Sequence, residues 1–183
     1  MKRKLSFVGA VFGSILVADI VTKQWALANL LPGYSREAFG GLVPLTLAFN
    51  KGIAFGIGLP SAGRWIIVAA SFFVLAVLLK LLLRAEERDA FRLLAIAAVS
   101  AGAVGNLIDR LRWDRGVVDF LGPYDLGFMT WPIFNVADMA ITTGAVLLGI
   151  SLWMEDARVA AAQRAAAAGA VESAAAGGGV DGD

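Results

Sequence analysis

Between Gly105 and Asp138 the chain reads GNLIDRLRWDRGVVDFLGPYDLGFMTWPIFNVAD. This sets Asn106, Asp109, Arg110, Asp119, Asn135 and Asp138 on the edges of two strongly apolar segments. Asn and Asp are costly in hydrocarbon, and polar groups kept at the mouths of membrane helices are usually put to use. Two carboxylates within hydrogen-bond reach cannot easily both ionise, so one keeps a proton. The charged one can then act as general base on a water, while the protonated one donates to a carbonyl oxygen. Asp119 and Asp138 are the candidate pair for such hydrolysis, which needs no metal and no covalent intermediate. Arg110 is placed to orient Asp109 or to hold a substrate carbonyl, and Asn135 to hold a carboxylate or a substrate backbone.

On spacing alone other readings stay open. The polar layer could be a structural network or an ion site. A carboxylate-bound metal is conceivable, although no ligand-spacing motif is present. Ser35 and Ser61 lie in the same loop as Lys51 and close to Lys23, but no motif links them into a Ser–Lys enzyme. The chain has no Cys and no His, which removes disulfides, a thiol nucleophile, a Cys/His zinc site and a Ser–His–Asp triad. No cofactor is expected. Net charge is +1 with no basic stripe, so no nucleic-acid partner is expected either.

The elements that must position these residues are membrane spans. Hydrophobic residues make up 58% of the 183, mean hydropathy is +0.73, and the apolar residues fall in blocks long enough to cross a bilayer. The first block, Leu5–Thr22, follows the basic Met1-Lys-Arg-Lys. With Ala26-Leu27-Ala28 behind it, this resembles a secretory signal. Its length, and Asp19 and Lys23 between the run and the Ala pair, favour a retained helix. Asp19, Thr22 and Lys23 share one face of it; read locally, the two charges neutralise each other and Lys23 snorkels. Trp65–Leu83, Phe91–Ile108 and Trp131–Trp153 are the other three spans. The third is small-faced through Ala97, Ala98, Ala101, Gly102 and Gly105. The fourth carries Asn135 and Asp138 on one face, Asp138 about 10 Å along the helix from Trp131.

Leu31–Gly63 is a Gly/Pro-rich loop with a small strand or hairpin in Leu42–Phe55 and a polar turn at Asn50-Lys-Gly-Ile-Ala-Phe-Gly56. Arg112–Thr130 is a second loop, with a strand-like Gly116–Phe120 that carries Asp119. Four spans put both termini on one side, and Lys2-Arg3-Lys4 assigns that side to the cytoplasm. Asp19, Asn50, Asn106, Asp109, Arg110, Asp119, Asn135 and Asp138 then converge on the other side. Residues 1–156 form the membrane domain. Residues 157–183 are an Ala/Gly-rich tail whose first part can form a helix and whose Gly177–Asp183 end is expected to be disordered.

Asp19-x-x-Thr22-Lys23, Asn50-x-Gly52-x-Ala54-Phe55, Gly105-Asn106-x-x-Asp109-Arg110, Val117-Val-Asp119-Phe120 and Phe134-Asn135-Val-Ala-Asp138 together resemble the lipoprotein signal peptidases (signal peptidase II). The five stand in family order across nearly all of residues 5–154. The resemblance implies a four-span, all-α protein of the bacterial inner membrane with a small extracytoplasmic β element. It implies an aspartyl endopeptidase, a monomer, that cuts the signal peptide from prolipoproteins just before the diacylglyceryl-modified cysteine. By motif match Asp119 and Asp138 are the catalytic dyad, and Asp19, Lys23, Asn50, Asn106, Asp109, Arg110 and Asn135 support it. A lipidated substrate stays in the bilayer, so the dyad belongs at the lipid boundary. The competing class is a proton- or ion-coupled transporter. It wants ionisable groups near the midplane, whereas the spans here carry theirs toward one end.

Overall fold

The computed structural model describes residues 2–52 and 63–177. Four helices in it are long and apolar enough to cross a membrane: α1 (Lys2–Asn29), α2 (Gly63–Arg84), α3 (Ala90–Arg112) and α4 (Val136–Gly177). The protein is thus a multi-pass membrane protein. Each helix carries a long apolar stretch, and their apolar faces stay largely exposed, as a lipid solvent demands. The exception is α3, which packs against each of the other three.

Small residues explain why α3 takes the centre. Ala95, Ala97, Ala98, Ala101, Gly102 and Gly105 are all buried. A methyl group on Gly102 would run into the Ala137 carbonyl, and one on Gly144 would press on Val99. In lipid, where helices gain no hydrophobic energy from meeting, close approach of this kind is the main source of attraction.

α1 runs further than its apolar block, to Asn29. Ala26 is fully buried in a cluster with Leu30, Leu47, Val118 and Phe120, so the Ala26-Leu27-Ala28 segment is part of the folded core. Its Asp19 and Lys23 lie well inside the helix. At the opposite end of α1, buried Lys4 donates to the Ala85 carbonyl at 2.7 Å and ties α1 to the end of α2.

The β element is larger than the sequence suggests. β1 (Ser35–Ala38) and β2 (Val43–Asn50) form an antiparallel hairpin across a short 3-10 turn, Phe39–Gly41. β2 then pairs with β3 (Val117–Leu121) from the other loop, with Ala48 opposite Asp119 and Asn50 opposite Val117. One three-stranded sheet therefore joins two loops. Gly116 makes the entry to β3 possible: its φ is +94°, and a side chain there would strike the Asn50 carbonyl. A second, minimal pair, β4 (Tyr124–Asp125) with β5 (Thr130–Trp131), leads toward α4.

Two boundaries differ from the sequence reading. α3 continues past Ile108 to Arg112, so Asp109 and Arg110 lie within its last turn and Asn106 a turn earlier. α4 begins at Val136, not at Trp131, which is in β5. Pro132 biases Trp131 toward an extended conformation. Asn135 then caps the helix, its Oδ1 accepting from the Asp138 N–H at 2.8 Å. Asp138 is consequently in the first turn of α4 and not two turns inside it. At its other end α4 carries on through the Ala-rich stretch to Gly177, and the part of the tail beyond it lies outside the described residues, as do Ala54 and Phe55 of the Asn50 motif.

Candidate active site

Asp119 and Asp138 reach the same place from a strand and from a helix N-terminus. Two amides stand between them. Asn135 Nδ2 donates to Asp119 Oδ1 at 2.6 Å, to the Val118 carbonyl at 3.2 Å and to Asn106 Oδ1 at 3.1 Å. Asn106 Nδ2 donates to Asp138 Oδ1 at 2.7 Å. Asp138 also closes a reciprocal cap, its Oδ2 accepting from the Asn135 N–H at 3.2 Å. Each carboxylate is thus fixed by an amide that the other amide fixes in turn.

The two carboxyl groups differ in environment. Asp119 is 2% exposed in a strand buried along most of its length. Burial pushes its carboxyl up to about 7, and the negative charge of Asp138 adds to this, against the Asn50 and Asn135 amides and the more distant Lys23. Asp138 is only half-buried and stands in the first turn of α4. The two carboxyl groups thus differ in burial, in supporting element and in hydrogen-bond partner.

Behind the amides lies a buried ionic group. Lys23 Nζ sits 2.8 Å from Asp19 Oδ2, 3.0 Å from Asp109 Oδ2 and 3.0 Å from Asn106 Oδ1. Asp19 Oδ1 accepts from the Ala137 N–H at 2.9 Å, and Asp109 Oδ2 from the Val118 N–H at 3.2 Å. So Asp19 holds the start of α4, Asp109 holds β3, and Lys23 holds both. This corrects the local view of Asp19 and Lys23: Lys23 is 2% exposed and turned into the bundle, where leaving hydrocarbon for two carboxylates outweighs any gain from snorkelling. Of the two roles open to Arg110, orienting Asp109 is not the one its contacts serve. Arg110 reaches the Gly52 carbonyl at 3.3 Å and the Asn106 carbonyl at 3.4 Å, while Lys23 occupies Asp109.

Asn50 shapes the last piece. Its Oδ1 accepts from the Gly52 N–H at 3.0 Å, a local turn that presents the Gly52 carbonyl to Arg110. All nine residues singled out in the sequence therefore meet in one layer. Three that were not singled out for the site complete it through their backbones or their smallness. They are Val118, Ala137 and Gly105, where a Cβ would stand 2.5 Å from Asp19 Oδ2. All three stand within the motifs quoted above, and Gly105 also on the small face of α3, but none carried a role of its own in the sequence. Among the described residues no group of Asp, Glu, His or Cys is arranged to hold a metal ion.

A four-span bundle with two unlike carboxyl groups joined by amides near one end of its helices defines a multi-pass membrane protein with a buried polar layer. The chain belongs to the signal peptidase (SPase) II family, whose sequence model matches residues 11–154. It is 39% identical over 137 residues to the lipoprotein signal peptidase of Psychromonas ingrahamii, covering 73% of this chain and 77% of that one. It is 35% identical over 144 residues to that of Syntrophomonas wolfei, covering 79% and 91%. Among solved structures it is similar to a bacterial membrane enzyme determined by the in meso method at 2.3 Å resolution. There the TM-score is 0.75 and the identity 27%, over 84% of this chain and 92% of that one.

Proposed function

We propose that this protein removes the signal peptide from diacylglyceryl-modified prolipoproteins, cutting before the lipidated cysteine with Asp119 and Asp138 as a general acid–base pair. Family membership supports the substrate class. The observation that carries the chemistry is the amide-linked pair of unlike carboxyls, one near neutrality by burial and one at a helix N-terminus. Asp138, as carboxylate, takes a proton from a water whose oxygen bonds to the scissile carbonyl carbon. Asp119 gives its proton to the carbonyl oxygen, so the tetrahedral intermediate forms without an isolated oxyanion. On collapse the C–N bond breaks, Asp138 passes its proton to the leaving nitrogen, and Asp119 recovers its own.

The remaining seven residues hold this pair. Lys23, Asp19 and Asp109 fix its two supporting elements, Asn106 and Asn135 fix its carboxyls, and Arg110 with Asn50 fixes the turn beside it. The enzyme works as a single chain in the bacterial inner membrane. Both termini and Arg84–Arg92 are cytoplasmic, and the sheet and the dyad are outside. Lys2-Arg3-Lys4 supports that orientation. The test is incubation of purified protein with a lipidated prolipoprotein and with its unlipidated form. Release of the signal peptide from the lipidated form alone is expected. Equal cleavage of both, or of neither, would sink the reading.

A further inference from the structure

A second cluster of charge stands at the same end of the molecule, away from the aspartates. Trp113 follows α3 directly, and two guanidinium groups share its ring. Arg115 lies 4.1 Å and Arg112 4.8 Å from the ring centroid, and Arg115 also lies 4.7 Å from that of Phe49. Both arginines are exposed. Asp114, the carboxylate between them in sequence, is ion-paired with Arg64 of α2. Residues 53–62 contain no Asp or Glu. Among the described residues no carboxylate pairs with Arg112 or Arg115. The aromatic ring attracts each cation, but the two cations repel each other, and an anion lying between them relieves that repulsion.

Arg112 also stands at the mouth of a notch of about 90 Å3 between α1 and α3. Exposed Ile20 and Ile108 line the notch together with Gln24, and the mutually paired Lys23, Asp19 and Asp109 line it as well, their charges satisfied among themselves. From the helix ends inward, the surface offers guanidinium groups, then the Gln24 amide, then aliphatic walls. A glycerophospholipid presents its parts in the matching order of phosphate, ester-bearing glycerol and acyl chain. Trp113, as an aromatic at the end of a span, sits at the depth of lipid headgroups.

We propose that Arg112, Trp113, Arg115 and the α1–α3 notch form a seat for one anionic glycerophospholipid, held by its phosphate with an acyl chain against Ile20 and Ile108. Two cations facing one phosphate select a headgroup without a cationic amine, such as phosphatidylglycerol, over phosphatidylcholine. The seat depends on membrane insertion and not on the dyad, so its failure and that of the peptidase reading are distinguishable.

The test uses the full chain in nanodiscs of equal phosphatidylglycerol and phosphatidylcholine, followed by extraction and native mass spectrometry. One retained phosphatidylglycerol per chain is expected, preferred by roughly tenfold or more, as two interfacial arginines imply. Arg112→Gln with Arg115→Gln should abolish the preference. Arg158→Gln with Arg164→Gln removes the same charge elsewhere and should keep it. Equal retention of both lipids by the wild type, or an unchanged preference in Arg112→Gln/Arg115→Gln, overturns the seat. So does displacement of the lipid by millimolar inorganic phosphate, which reduces the site to one for a free anion. Should the double variant not fold, Ile108→Trp, which fills the notch and leaves both arginines, decides: retention must fall.

Discussion

Asn106 and Asn135 give each aspartate a fixed partner, so the consequences of changing either aspartate separate cleanly. Asp119→Asn and Asp138→Asn preserve size and hydrogen bonding but remove the ionisable proton. Each is expected to lower the cleavage rate per folded molecule ~100- to 10,000-fold while lipidated substrate still binds. Near-normal turnover in either would refute the assignment. A second effect follows from the environment of Asp119 alone. Its folded-state carboxyl is raised from 3.8 to about 7, so the folded protein holds this proton more tightly than the unfolded chain does. Stability from this group is then fully present below about pH 4 and is lost as pH rises toward 7. Asp119→Asn escapes the loss. Its thermal midpoint should exceed that of the wild type by a margin that grows from pH 4 to 7 and stays constant above, and a margin independent of pH would contradict the raised value. The polar residues themselves were legible in the sequence because each breaks an apolar background. The role of Lys23 was not, since its partners Asp109 and Asn106 come from a helix far along the chain, and an i,i+4 pair with Asp19 explains it equally well by itself.

The elements carry these residues through close contacts more than through bulk. Gly105 is the clearest case, since an added methyl group meets the Asp19 carboxylate directly. Gly105→Ala should cost about 1–3 kcal/mol, as overpacking typically does, and should lower activity through displacement of Asp19. Gly9→Ala, at a helix glycine with open space around it, should be neutral or slightly stabilising. Thermal unfolding of the two variants in detergent measures both, and equal effects would mean that the α1–α3 approach is not tight. The four spans were readable because runs of apolar residues with charged ends have few alternatives. The sheet was readable only in part. The strand around Asp119 showed itself, but its pairing with β2 joins segments some 70 residues apart and leaves no local mark. The start of α4 was misplaced because Trp131 was taken for a helix-end anchor, whereas Pro132 and the Asn135 cap set the boundary.

At the scale of the whole molecule α4 is out of proportion. Its 42 residues span ~63 Å, about twice the hydrocarbon thickness, and along its Ala-rich extension residues 157–169 are almost all exposed. This extension is proposed to be dispensable. Truncation after Arg158 should leave membrane insertion and cleavage unchanged, and loss of cleavage in a properly inserted truncation would assign the extension a role. The opposite end of α4 has a different standing. The hydrogen bond from the Ala137 N–H to Asp19 ties the helix made last to the helix made first, 118 residues earlier. A growing chain meets this condition only when its final span has entered the bilayer. Until then Asp138 has no Asn106 beside it, Asp119 has no Asn135, and Asp19 has no Ala137 N–H to accept from. On the proposed reading of the dyad, therefore, no partial product of biosynthesis can cleave a peptide, and activity begins once, with the arrival of the last segment.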